Sequence, residues 1–243
     1  MELFRQDNNG LSVKEISDAI GLNKSTAFGL INTLSNLGYL QQNRENHKYM
    51  PGLKLLGFSN AIDVQSIIRQ AVHPHLYRLA HKFGETTNCG VEYQRKVLYI
   101  DKVDISNAAI FINTQIGVTR DMHCSGMGKC LLAYASSETL SKILSEPLMP
   151  LTPNTITDPA RLQEELAAVR QRGYAYDLEE YAIGLYCIAV PVFSAPGSVK
   201  CALSISTIEP RMRMAEKNGI IEELRQTARM VSAEVFHYDP EEQ

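Results

Sequence analysis

Between Ser12 and Gly38 two helical patterns meet at a glycine corner, an arrangement that few folds accept. Ser12 stands where the N-cap of the first should be, Glu15 three residues on completes a capping box, and Val13, Ile16, Ala19 and Ile20 recur at helical spacing. Gly21 supplies a left-handed stop and Leu22 is expected to plug the corner. Asn23 then caps a second helix through Ser25, Thr26, Phe28, Leu30, Ile31, Leu34 and Leu37 to Gly38. So tight a junction predicts a helix-turn-helix over about residues 11–38. Tyr39-Leu-Gln-Gln, the polar turn Asn43-Arg-Glu-Asn and the return His47-Lys-Tyr-Met read as a two-stranded wing over residues 39–50, which makes residues 1–52 a winged helix-turn-helix domain.

Such a domain grips a duplex with the start of its second helix, where short polar side chains and open backbone N–H groups meet phosphates and base edges in the major groove. Asn23, Lys24, Ser25, Thr26 and Phe28 are the candidates there, and Arg44, His47 and Lys48 of the wing are candidates for flanking phosphates. The charge balance argues only weakly for this. The whole chain carries 24 basic and 27 acidic residues, and its first sixty residues hold a single excess positive charge (Arg5, Lys14, Lys24, Arg44, Lys48 and Lys54 against Glu2, Asp7, Glu15, Asp18 and Glu45).

With 243 residues and 44% apolar content there is material for a second packed core. Pro51-Gly52 breaks the wing, and Leu53, Leu55, Leu56, Phe58 and Ala61 predict a linker helix over residues 53–63. Residues 64–243 then read as one α+β domain. A helix runs from about Val64 to Phe83, with Pro74 as a kink or division point. Strands are predicted at Thr86–Tyr93, Lys96–Val103, Ala108–Gln115, Cys187–Phe193 and Val199–Thr207, and helices from Ser125, from Asp158-Pro159 to Gly173, and from about Met214 to Phe236. Alternation along Val199–Thr207 turns Cys201, Leu203 and Ile205 one way and Ala202, Ser204 and Ser206 the other, so the two serines face either solvent or a polar cavity.

Tests for chemistry return little. Gly126-Met-Gly128-Lys129 lacks the spacing of a phosphate loop, which leaves a glycine-rich helix start that either receives a carboxylate or packs closely on a sheet. Asp177, Glu179 and Glu180 form an acidic stretch without a neighbouring nucleophile or base, and read as solvated acids by default. The five cysteines (Cys89, Cys124, Cys130, Cys187 and Cys201) form no Cys-x-x-Cys pair, which fits a reducing cytoplasm. No metal-ligand spacing, cofactor motif, export signal or membrane span is present in the sequence, and neither a cofactor nor catalysis is expected.

Three stretches carry a resemblance over almost the whole chain: Gly21-Leu-Asn-Lys-Ser-Thr, His123-Cys-Ser-Gly-Met-Gly-Lys-Cys-Leu-Leu-Ala, and Asp177-Leu-Glu-Glu through Gly184-Leu-Tyr-Cys-Ile-Ala-Val-Pro-Val-Phe. Together they are similar to the IclR family of bacterial transcription regulators. The resemblance implies a GAF-like antiparallel sheet with helices that binds a small organic acid or aromatic metabolite, joined to DNA-binding heads in a homodimer or homotetramer, and no enzyme. It implies a pocket of Gly126, Met127, Asp177, Leu185, Cys187, Ser204 and Ser206 with apolar walls near Ala109 and Ile112. The start of the helix at Gly126 would take a carboxylate oxygen, Ser204 and Ser206 would donate hydrogen bonds, and Asp177 would accept one from an effector hydroxyl or water.

This sequence departs from the family pattern twice. Few residues precede Leu11, so a full first helix and one wall of the small core are expected to be missing. Ala27-Phe28-Gly29 also replaces a His-Arg type pair, which removes a contact to DNA and places a glycine in the recognition helix at a cost of about 1 kcal/mol. The expected function is regulation of a catabolic operon through a palindromic operator, with a small carboxylate or sugar acid as effector. The alternative is a metabolite sensor with impaired DNA binding that acts through a protein partner.

Overall fold

The computed structural model describes residues 2–5, 10–55, 63–105 and 115–239. Its contacts divide the chain into two compact units, Met1–Ser66 and Ile67–Gln243.

In the first unit, α1 (Val13–Ile20) and α2 (Lys24–Asn36) precede an antiparallel pair, β1 (Leu40–Gln42) and β2 (Tyr49–Pro51). The capping box forms as read: the Ser12 hydroxyl accepts the Glu15 N–H at 3.3 Å, and the Glu15 carboxylate accepts the Ser12 N–H at 2.7 Å. Gly21 takes φ of 65°, a left-handed conformation that a side chain would strain, and the Asn23 side chain accepts the Thr26 N–H at 2.9 Å to open α2. Leu22 does not plug the corner; it is exposed, and the Ser17 hydroxyl closes the turn by donating to the Leu22 carbonyl at 2.6 Å. Ile16, Ile31, Leu40 and Tyr49 form the core, with Leu3 and Phe4 of a short 3-10 turn packed against it. Those two side chains take up a wall that the sequence reading expected to be absent.

The expected linker helix opens as one 3-10 turn, Leu53–Leu55; residues 56–62 lie outside the described residues, as does most of the strand expected at Ala108–Gln115. α3 (Asp63–Phe83) then runs through Pro74 without a break. The second unit is built on β3 (Thr86–Tyr93), β4 (Lys96–Val103), β5 (Thr119–Asp121), β6 (Ala175–Leu178), β7 (Tyr186–Ala195) and β8 (Ser198–Thr207). These make an antiparallel sheet of order β5-β4-β3-β8-β7-β6. Between β5 and β6 come α4 (Gly126–Ala133), α5 (Ser137–Ser145) and α6 (Pro159–Arg172); after β8 come α7 (Glu209–Lys217) and α8 (Ile220–Phe236). The single terminal helix read from the sequence is thus two, parted at Gly219, whose φ is 80°. β5, β6 and α5 were not foreseen.

Strand alternation sorts the sheet into two faces. Cys89, Val91, Ile188, Val190, Leu203 and Ile205 bury one face against Val72, Leu76 and Leu79 of α3 and Leu224 and Val231 of α8. On the other, Ala175, Ala189 and Ala202 lie under Met127, Cys130 and Leu131 of α4, with Leu162 and Leu166 of α6 behind. Small residues there bring α4 close to the strands. A Cβ at Gly128 would stand 2.3 Å from the Met122 carbonyl oxygen, so only glycine fits beneath that turn. Gly128→Ala is expected to lower stability by about 1–3 kcal/mol, read as a lower urea midpoint. An unchanged midpoint would show that α4 can lift away without cost.

Candidate functional site

The strand register of the second unit lines up polar residues on the face that carries α4. Asp177 pairs with Cys187, Cys187 with Ser206 and Ser206 with Thr86; one step along, Ala175, Ala189, Ser204 and Asn88 follow in the same way. Paired residues share a face, so Asp177, Cys187, Ser206, Ser204 and Asn88 form one continuous patch. All five are buried. The two serines therefore face an interior rather than solvent, and the reading of Asp177 and Glu180 as solvated acids is likewise corrected, since they retain 1% and 5% of their exposure.

Hydrogen bonding within this floor is incomplete. Asn88 Nδ2 donates to the hydroxyls of Ser204 at 3.4 Å and Ser206 at 3.3 Å, and the Cys187 thiol stands 3.1 Å from the Ser206 oxygen. Asn88 Oδ1 is buried with no hydrogen-bond partner among the described residues, which costs about 1–3 kcal/mol in a closed interior. The first turn of α4 borders the floor: a Cβ on Gly126 would come within 3.2 Å of the Ala189 side chain, and Met127 lies against Gly90. Ser125 caps the helix by accepting the Gly128 N–H at 3.1 Å, which leaves the Gly126 and Met127 amides directed out of the helix end. Close packing at Gly126 is thus realised, and it sets open amides beside the floor. Leu185 is buried in the loop that enters β7, whereas Ala109 and Ile112 lie outside the described residues.

Burial and charge decide the ionisation of the acids. Desolvation, with help from Glu180, pushes the Asp177 carboxyl up to about 7, against the N–H groups of Glu180 (2.8 Å) and Tyr181 (3.3 Å), which bond to Oδ1 and favour the anion. Desolvation, then Asp177, likewise drives the Cys187 thiol well above its ordinary range, so it is a protonated donor and not a nucleophile. Lys129 of α4 is fully buried and ion-paired with Glu180, with Glu165 at 3.5 Å. This pair fastens α4 to the loop that positions Asp177.

Sequence reasoning passed over Asn88, Tyr99, Arg120 and Tyr181. Asn88 had a usable signal, a lone carboxamide within an otherwise strand-like run. Tyr99 and Arg120 reach this face only through the pairing of Gly90 with Tyr99 and of Val97 with Arg120, which no local pattern displays. Lys129, Glu165 and Glu180 also line a cleft of about 810 Å³ along the β6 edge. Its walls mix Arg161, Arg172 and Arg213 with Glu179, Glu209 and Glu216, and no residue of the floor lines it.

In the first unit, Asn23, Lys24, Ser25, Thr26 and Phe28 are all exposed at the start of α2, as are Arg44 and His47 in the wing. Phe28 exposes half its surface, although the helical pattern alone would have assigned it to a core. The Ser25 hydroxyl donates to Asn23 Oδ1 at 2.9 Å, and Lys48 is drawn to Glu15 at 3.4 Å.

An exposed helix start on a winged helix-turn-helix, together with a second unit holding a buried polar floor, defines a DNA-binding transcription regulator with an effector-binding domain. Residues 60–233 match the family described as bacterial transcriptional regulator IclR C-terminal, and residues 1–44 match the IclR helix-turn-helix domain. The chain belongs to the IclR family. It is 35% identical over 233 residues to the HTH-type transcriptional regulator XynR of Escherichia coli K12, across 96% of this chain and 92% of that protein. It is 31% identical over 239 residues to the DNA-binding transcriptional repressor YiaJ of the same strain, across 97% and 84%. Among solved structures, an IclR homolog from Microbacterium hydrocarbonoxydans complexed with 4-hydroxybenzoate superposes with a TM-score of 0.85 at 25% identity, covering 98% of this chain and 96% of that one. The relatives are regulators and not enzymes, and among the described residues no helix is long and apolar enough to cross a membrane.

Because the folded state holds a proton on Asp177 that the unfolded chain releases, stability falls as pH rises from the ordinary aspartate range through about 7. Asp177→Asn removes this slope while keeping an oxygen for the Glu180 and Tyr181 amides. Relative to wild type, the urea midpoint of the variant should therefore rise from about pH 5 to about pH 8. A difference independent of pH would place Asp177 in water.

Proposed function

We propose that this chain regulates a catabolic operon through a palindromic operator, and that a small organic acid of the carboxylate or sugar-acid type, bound on the polar floor, sets its DNA affinity. The observation that carries this reading is the buried row from Asp177 to Asn88, with one carboxamide oxygen unpartnered among the described residues. Polar groups enclosed without partners are retained where a ligand completes their bonding. On this reading the amides of Gly126 and Met127 and the positive end of α4 receive a carboxylate oxygen, Ser204 and Ser206 donate to it or to a neighbouring hydroxyl, and Asp177 accepts from an effector hydroxyl. Met127, Leu185 and Cys187 form walls, with Ala109 and Ile112 as further wall residues. That the Microbacterium homolog was crystallised with 4-hydroxybenzoate, a small hydroxylated carboxylate, supports the class.

At the other end, Asn23, Lys24, Ser25, Thr26 and Phe28 enter the major groove while Arg44, His47 and Lys48 meet flanking phosphates. A homodimer or homotetramer presents two such heads, and the effector alters their spacing through the linker at residues 53–63, between a DNA-binding domain at 1–52 and an effector domain at 64–243. Fluorescence anisotropy with duplex from upstream of the gene tests this. The full chain should prefer that duplex over a scrambled one, and Ser25→Ala with Thr26→Ala should weaken specific binding about tenfold or more. Equal affinity for both duplexes, or no effect of the double variant, would contradict it.

A further inference from the structure

We infer that Arg120 is a specificity residue of the effector pocket, sharing with the amides of Gly126 and Met127 the carboxylate of a hydroxylated acid and making the site select hydroxy acids over neutral polyols. The inference rests on the floor being the effector site. Arg120 lies on β5, paired with Val97, so its side chain projects from the same face as the floor. Its guanidinium stands 4.4 Å from the ring centroid of Tyr181, and the Tyr181 N–H is bonded to Asp177 beyond the end of β6. β5 and β6 are opposite edges of the sheet. Were it flat, five strand spacings would hold those edges roughly 24 Å apart. The sheet must therefore curl until a residue from one margin touches the loop of the other, and the concave side it encloses is the side that carries Asn88, Ser204 and Ser206.

Charge singles out Arg120 among the cations of this face. Lys129 is neutralised by Glu180 and Glu165, and Lys102 by Asp104 at 2.8 Å. Arg120 has no carboxylate within ion-pair distance among the described residues; a tyrosine ring is what it meets. A cation over an aromatic face is a weak attachment, and a planar guanidinium forms a stronger, forked pair with a carboxylate, so an arriving acid replaces the ring contact at a net gain. The rest of the ligand is set by the floor. Asn88 Oδ1 needs a donor, and the Ser204 and Ser206 hydroxyls serve as donor or acceptor. A molecule that satisfies both ends carries a carboxylate and at least one hydroxyl.

Isothermal titration calorimetry on the full-length protein tests the assignment with D-gluconate, D-glycerate, tartrate and 4-hydroxybenzoate, with D-glucitol as the neutral counterpart of gluconate. Arg120→Met should weaken the best-bound hydroxy acid at least tenfold, Arg120→Lys should restore part of the loss, and the weak response to glucitol should be the same in all three proteins. Urea unfolding of each variant separates lost binding from lost fold, and the lysine variant keeps the test open if the methionine variant does not fold. An acid bound within twofold by wild type and Arg120→Met would overturn the role of Arg120 and leave the pocket reading intact. Wild type that binds none of the acids would overturn both.

Discussion

Antiparallel register is the constraint on which this regulator depends. Pairing Asp177 with Cys187, Cys187 with Ser206 and Ser204 with Asn88 sets side chains from β6, β7, β8 and β3 edge to edge on one face, and a slip of one residue would turn all of them onto the other. That other face is packed with Ile188, Leu203 and Ile205 against α3 and α8. The apolar packing on one side thus fixes the polar floor on the opposite side. Such a floor is a poor way to stabilise a sheet, because an unpaired buried polar atom costs about 1–3 kcal/mol and an apolar residue of like shape would avoid it. The effector binding proposed above accounts for its presence.

Contacts from several elements position the floor. Lys129 and Glu180 join α4 to the loop after β6, and the Thr155 hydroxyl donates to the Glu180 carbonyl at 2.6 Å from a separate segment. The amides of the first turn of α4, the Asp177 carboxyl and the Tyr181 ring under Arg120 are therefore located by one connected set of contacts. Such preorganisation would limit what the proposed ligand must spend in ordering the site.

What was legible in the sequence was local. The capping box at Ser12 and Glu15, the left-handed Gly21 and the Asp158 to Gly173 helix each announce themselves within a few residues, and each forms as read. Alternation in β8 separated Ser204 and Ser206 from Leu203 and Ile205 correctly, but it could not say whether the serine face met water. That depended on a helix starting at Gly126 and strands more than one hundred residues apart in the chain, as the pairing of Asn88 with Ser204 shows. The resemblance, not the pattern, pointed to Asp177 and Cys187. Asn88, Tyr99 and Arg120 escaped because their importance lies in which strand they face, whereas the division at Gly219, whose φ is 80°, had a local signal in Asn218-Gly219 that the helical reading ran through. Lys48 of the wing, read for a phosphate contact, also pairs with Glu15 at 3.4 Å, a contact between residues 33 apart that no local pattern displays.

Settling of a small acid on the curved sheet beside α4 is the event on which the proposed regulation turns. Hydrogen–deuterium exchange of the full-length protein, with and without D-gluconate and 4-hydroxybenzoate, addresses it at the level of backbone amides. New protection is expected in peptides covering Gly126 and Met127 and the loop from Asp177 to Leu185, with the cleft along the β6 edge around Pro153–Glu165 and Glu209–Glu216 unaffected. Protection centred on that cleft, with none at the start of α4, would contradict it.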